Sequence, residues 1–126
     1  YFYSALGIAL TVGGSVKRVV NNICITESTN SNALRSLADY TVGNTAICTD
    51  VSHTVAPIVV GGVINEVFAN KAICYNPLTL NIQLQSVGTI YLANNIMSSV
   101  GSGLDLNGNT NAMTNTPDSF GNIKIG

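Results

Sequence analysis

Hydrophobic and polar residues alternate along much of this chain. The cleanest run is 78–85, where Leu78, Leu80, Ile82 and Leu84 interleave with Thr79, Asn81, Gln83 and Gln85. Period two marks a strand with one buried and one wet face, and predicts a half-buried antiparallel strand here. Gly88 permits a bend into residues 89–92, which completes a hairpin. The same period opens the chain at Leu6, Ile8, Leu10 and Val12, so residues 1–12 read as one or two strands closed by a Gly13-Gly14 turn. Residues 16–26 are rich in β-branched side chains and read as a strand interrupted at Asn21-Asn22. Residues 45–51 read as a strand around Ile47, and residues 55–68 as two buried strands about Gly61-Gly62 or a strand followed by a helical turn, with β-branched content favouring strands. Beyond Asn94 the alternation survives only at Leu104/Leu106 and Ile123/Ile125, with a long Gly/Asn/Thr loop between.

One stretch departs from period two. Ser31 or Asn32 can cap a short helix running to about Tyr40, with Leu34, Leu37 and Ala38 on one face and Arg35 and Asp39 four apart. Many short strands and one helix predict an all-β fold, an antiparallel β-sandwich of immunoglobulin-like or jelly-roll-like type. Residues 1–14 form an extended apolar N-terminal strand and residues 15–126 the sandwich. A competing signal is the recurrence of Ile-Cys at Ile23-Cys24, Ile47-Cys48 and Ile73-Cys74. A period in that range can mark the rungs of a solenoid. Residues Gly43 to Cys48 also resemble Ala69 to Cys74, but the rest of each interval does not repeat, and the sandwich is the stronger expectation.

Composition changes the picture of the surface. Only 9% of residues are charged and 46% are apolar, against about a quarter charged in an ordinary domain. Asn, Ser, Thr and Gly must therefore supply the polar surface, and a neutral surface opposes self-association weakly. A net charge of −1 and no basic cluster beyond Lys17-Arg18 argue against nucleic acid or an anionic membrane as partner. The first sixteen residues carry no charge, yet a spanning helix needs about 20 apolar residues, and Gly7, Gly13 and Gly14 interrupt this run. The chain opens without Met, which is expected of a mature product whose leader has been removed.

Candidate chemistry is sparse. His53 is the one histidine, Cys48 precedes it by five positions, and on a strand Asp50 would face with Cys48 rather than orient the ring, so no nucleophilic pair is expected. The carboxylates stand singly along the chain, and no enzymatic role is predicted. Asp105, Asn107 and Asn109 resemble the opening of an EF-hand calcium loop. Thr110 then replaces the turn glycine and Thr116 the bidentate Glu, leaving a low-affinity calcium candidate and no other cofactor. Cys24, Cys48 and Cys74 are an odd set, which allows a disulfide, an intermolecular bridge or buried thiols. No Asn-x-Ser/Thr sequon occurs.

These readings converge on a secreted structural subunit. It would form an extracellular filament or pilus from copies of itself, through an N-terminal donor strand presenting Tyr1, Phe2, Tyr3, Leu6, Ile8, Leu10 and Val12 to a neighbour's sheet. The composition resembles that of donor-strand pilins. Two other readings share the features: a subunit like type IV pilins with residues 1 to about 20 helical, and a viral coat or secreted β domain that binds a surface.

Overall fold

Four asparagines, Asn22, Asn44, Asn70 and Asn95, stack one above another at separations of 22, 26 and 25 residues. That spacing is one turn of the chain. The computed structural model describes residues 1–61, 65–76, 82–84, 89–99, 118–120 and 123–125. Its first coil holds β1 (Phe2–Ser4), β2 (Leu10–Val12) and β3 (Arg18–Val20), and the second β4 (Ile23–Thr26), β5 (Leu34–Ser36) and β6 (Tyr40–Val42). The third holds β7 (Thr45–Cys48), β8 (Ile58–Val60) and β9 (Asn65–Phe68), and the fourth β10 (Lys71–Cys74), β11 (Ile82–Leu84) and β12 (Thr89–Ala93). Then follow β13 (Ile96–Ser99), β14 (Asp118–Phe120) and β15 (Ile123–Ile125).

Strands from successive coils pair into three sheets. Sheet A runs β1-β4-β7-β10-β13-β15, sheet B β11-β8-β5-β2, and sheet C β14-β12-β9-β6-β3. Every pairing among the described residues is parallel. The architecture is a three-sided parallel β-helix, and the expected antiparallel sandwich is overturned. Parallel strands need a long crossover, and here the crossover is the remainder of each coil. The expected hairpin fails for the same reason: Ile82–Leu84 pairs with β8 in sheet B, whereas Thr89–Ala93 pairs with β9 in sheet C.

No helix occurs among the described residues. The stretch read as one is β5 and β6 joined by a corner. Leu34, Ser36, Ala38 and Thr41 are all buried. The corner at residues 37–39 shifts the inward phase, so that Leu34, Ala38 and Thr41 reproduce the four-and-three spacing of a helix face. Arg35 does not meet Asp39; Lys17 Nζ reaches Asp39 Oδ2 instead, at 2.9 Å.

The interior is built of rows, one residue per coil. In sheet B, Leu10, Leu34, Ile58 and Ile82 lie in register, giving an aliphatic column. Sheet A contributes small side chains: Cys24, Ala46 and Ala72 form one row, and Thr26, Cys48 and Cys74 the next. All of these six are buried. Ile-Cys therefore marks sheet A in the second, third and fourth coils, but Cys24 sits two residues out of step with Cys48 and Cys74.

Each ladder asparagine follows a left-handed residue: Asn21 (φ 56°), Gly43 (65°), Ala69 (55°) and Asn94 (54°). This turn swings the chain from sheet C into sheet A and aims the next side chain inward. Asn and Gly tolerate that region and Ala does not. A left-handed Ala costs about 1–2 kcal/mol, and glycine returns about 0.5–1 of that in backbone entropy. Ala69→Gly is accordingly expected to raise unfolding stability by about 0.5–1 kcal/mol in urea titration, and a loss would contradict the turn geometry.

The corner between sheets A and B is tied across coils too. Buried His53 is held through Nδ1, 2.6 Å from the Ser28 carbonyl oxygen. Because a carbonyl only accepts, Nδ1 carries the proton. Asn76 Nδ2 donates to the His53 carbonyl at 2.6 Å, and Asn32 Nδ2 to that of Ala56 at 2.7 Å.

Candidate assembly surface

The first coil is where the N-terminal pattern comes to rest. Phe2, Tyr3 and Ser4 register against Cys24, Ile25 and Thr26, and Leu10, Thr11 and Val12 against Leu34, Arg35 and Ser36. Residues 1–14 thus join the sheets of their own chain. On the opposite side of this coil, β1, β2 and β3 end their sheets, and each presents a row of main-chain N–H and C=O groups away from the helix. An unpaired strand edge is a template for another strand, and here three such edges surround one opening.

That opening is apolar. Phe2, Leu10, Val12, Val16, Val19 and Val20 line a groove of about 430 Å³ together with Arg18 and Asn22. Tyr1 is 79% exposed and Leu6 90%, and Phe2, Tyr3, Ile8, Val16, Val20 and Ile23 are also exposed. Of the predicted donor residues, Leu10 and Val12 pack against the core, whereas Tyr1, Phe2, Tyr3, Leu6 and Ile8 remain at the end surface. Exposed apolar side chains gathered on one face mark an interaction site more often than scattered ones do. The Glu27 carboxylate accepts from the Tyr3 phenol and holds its pKa above the ordinary value.

The asparagine ladder gives this end a direction. Asn22 N and Nδ2 both donate to Asn44 Oδ1, Asn44 N and Nδ2 to Asn70 Oδ1, and Asn70 N and Nδ2 to Asn95 Oδ1, all between 3.0 and 3.1 Å. The main-chain donor identifies the facing amide atom as oxygen in each pair. Each Nδ2 also donates within the helix: that of Asn22 to the Val20 carbonyl, Asn44 to Val19, Asn70 to Thr41 and Asn95 to Val67. No donor among the described residues reaches Asn22 Oδ1, which stands at the open end.

A second surface continues from the opening along sheet C. Arg18, Tyr40 and Glu66 form one outward row and Val20, Val42 and Phe68 the next, bounding a groove of about 360 Å³. The Arg18 guanidinium lies 5.3 Å from the centre of the Tyr40 ring, a cation–π contact.

The other sequence candidates are dispersed. Cys24, Cys48 and Cys74 are free and buried. Burial pushes the Cys24 thiol up to about 11 and that of Cys48 upward as well, with Cys74 adding to the latter, so both are held as unreactive thiols. Asp50 Oδ1 accepts from Ser52 N and Oγ, which hold its carboxyl below the usual value, and His53 turns its Nδ1 to Ser28. His53 N donates to the Asp50 carbonyl at 3.2 Å, while the Asp50 carboxylate turns to Ser52 and His53 Nδ1 to Ser28. No cluster of three or more His, Cys, Asp or Glu residues suited to a metal occurs among the described residues. Asp105, Asn107 and Asn109 lie outside them.

No family model, curated protein or solved structure matches this chain. The surface has to be interpreted from its own chemistry. Sequence reasoning aligned Gly43-Asn44 with Ala69-Asn70 but missed that four such asparagines form a ladder. Its signal was a repeated pair, Asn21-Asn22, Gly43-Asn44, Ala69-Asn70 and Asn94-Asn95, each placing an inward Asn after a left-handed residue.

Proposed function

We propose that this chain is a structural β-helical subunit that assembles with copies of itself through its first coil, as part of an extracellular filament. The observation that carries the reading is the first coil, where three parallel strand edges that no described residue pairs surround an apolar groove. Pairing those edges with another coil would satisfy the backbone groups and cover Phe2, Val16 and Val20 in one step. The neutral Asn/Ser/Thr surface supports self-association, because it sets little charge repulsion between neighbours. In this reading Tyr1, Phe2, Tyr3, Leu6 and Ile8 of the expected donor segment act as part of a coil that is itself the docking face, while Leu10 and Val12 pack against the core.

Sedimentation velocity over a concentration series, with negative-stain imaging, checks this. The wild-type chain is expected to associate into elongated particles. Phe2→Asp combined with Val16→Asp changes two exposed side chains at the groove, and should leave the far-ultraviolet spectrum intact while raising the concentration for half-association more than tenfold. A wild-type chain that stays monomeric throughout, or a double variant that assembles like it, would refute the reading.

A further inference from the structure

We infer that the outer face of sheet C is a second contact between copies, a two-fold one in which the helices lie antiparallel and Arg18 of each chain meets Glu66 of the other. Three coils present a row of outward side chains here, Arg18, Tyr40 and Glu66, in register on β3, β6 and β9. Paired strands stand about 4.7–4.9 Å apart, so the row is straight, evenly spaced and opposite in charge at its two ends. Tyr40 stands between the charges, and the Arg18 guanidinium rests over its ring, 5.3 Å from the centre. A second row, Val20, Val42 and Phe68, runs beside the first without charge, and the two rows bound the groove of about 360 Å³. Arg18 and Val20 are exposed, and Tyr40, Val42, Glu66 and Phe68 half-buried.

The order of the charges selects the occupant. A two-fold axis lying in the interface along β6 reverses the row, setting Arg18 against the second copy's Glu66, Tyr40 against Tyr40, and Glu66 against Arg18. The uncharged row folds onto itself in the same way, Val42 on Val42 and Val20 on Phe68. The surface is thus its own complement, as an isologous contact requires. Copies laid face to face with their helices running the same way would instead bring Arg18 towards Arg18 and Glu66 towards Glu66. Like charges meeting as water leaves disfavour that arrangement. Sheet faces pack about 10 Å apart and within about 30° of alignment, and one coil either side of the axis the long Arg and Glu stems span the offset. Exposed ion pairs contribute little by themselves. Covering Val20, Val42 and Phe68 supplies the attraction, and the two ion pairs set its direction.

This contact is separate from the first coil, and one background isolates it. Phe2→Asp with Val16→Asp blocks the first-coil groove and leaves all six side chains of the sheet C groove in place, so sedimentation equilibrium of that variant reads the second contact alone. A monomer–dimer equilibrium is expected, weakening as salt rises. In this background, Arg18→Glu or Glu66→Arg sets like charges across the axis and should weaken dimerisation about tenfold. Both together only exchange the ends of the row, and should restore dimerisation to within about threefold of the background. The Arg18–Tyr40 contact is lost in Arg18→Glu and in the exchanged variant alike, so a rescue reports pairing between copies rather than a role within one chain. Matching far-ultraviolet spectra check that each variant is folded. A background that stays monomeric at every concentration, or an exchanged variant that dimerises no better than either single one, would overturn the two-fold contact while leaving assembly through the first coil standing. Wild-type chain that forms only this dimer, and never elongated particles, would overturn the first-coil reading and leave the sheet C contact in place.

Discussion

Asn70→Ala should cost this β-helix about 3–5 kcal/mol, a large share of the 5–15 that an ordinary domain possesses. Asn70 is fully buried. Its oxygen takes Asn44 N at 3.0 Å and Asn44 Nδ2 at 3.1 Å, and its Nδ2 supplies Thr41 O at 2.8 Å and Asn95 Oδ1 at 3.1 Å. Truncation leaves those four groups short of a partner at the junction of the second, third and fourth coils. Each unsatisfied buried group costs about 1–3 kcal/mol, and local relaxation recovers part of the total. In a solenoid each coil contacts only its neighbours, so the damage should appear as early opening of β6, β9 and β10 in hydrogen exchange. Denaturant unfolding gives the total, and a loss below about 1 kcal/mol would show that the ladder is not what ties the coils together. Asn70→Asp adds a pH test. The introduced carboxylate would keep the two bonds from Asn44 but face the Thr41 and Asn95 oxygens without a proton, which raises its folded pKa above the unfolded value. A raised pKa contributes stability below the unfolded value that is lost as pH rises, so this variant should be least stable at neutral pH and recover on acidification.

The sequence placed strands more successfully than it paired them. Residues 16–26 were expected as a strand broken at Asn21-Asn22, and β3 and β4 flank that break, with left-handed Asn21 turning the chain. What misled was the meaning of period two. Leu10, Leu34 and Ile58 face inward while Thr11 and Arg35 face out, and this alternation arises in any sheet with one dry face, parallel or antiparallel. Continuous apolar runs identify a parallel sheet only when helices cover its outside, and β2 and β5 have no such cover. The helix expected over residues 32–40 was an artefact of the corner, where a phase shift between β5 and β6 imitates helical spacing. The solenoid period was present in Ile-Cys, but the offset of Cys24 against Cys48 and the unequal coil lengths disguised it. The candidate assembly surface was legible only as an apolar segment. That it forms a coil beside a one-way asparagine ladder follows from contacts between residues 22 to 26 positions apart, which local periodicity does not carry.

Ile58→Ala is the second large effect, and it separates the aliphatic column from the ladder. Ile58 is fully buried in sheet B, in register between Leu34 and Ile82, each of which is fully buried as well. Across the interior, sheet A offers small side chains, the row of Cys24, Ala46 and Ala72 and that of Thr26, Cys48 and Cys74. The large residues of one wall thus fill the space that the small residues of another leave. Removing three carbons from Ile58 opens a cavity that its neighbours in the column cannot close, because each is fixed by strand pairing one coil above or below. Truncation of a buried Ile costs about 2–5 kcal/mol, most where the site cannot collapse, and the upper half of that range is expected here. Cys48→Ala should cost far less, since Ala46 and Ala72 already occupy the neighbouring row without loss of order. If both variants shift the denaturation midpoint equally, the two walls share the packing evenly. The column of Leu34, Ile58 and Ile82 would then not be the principal apolar support of the helix.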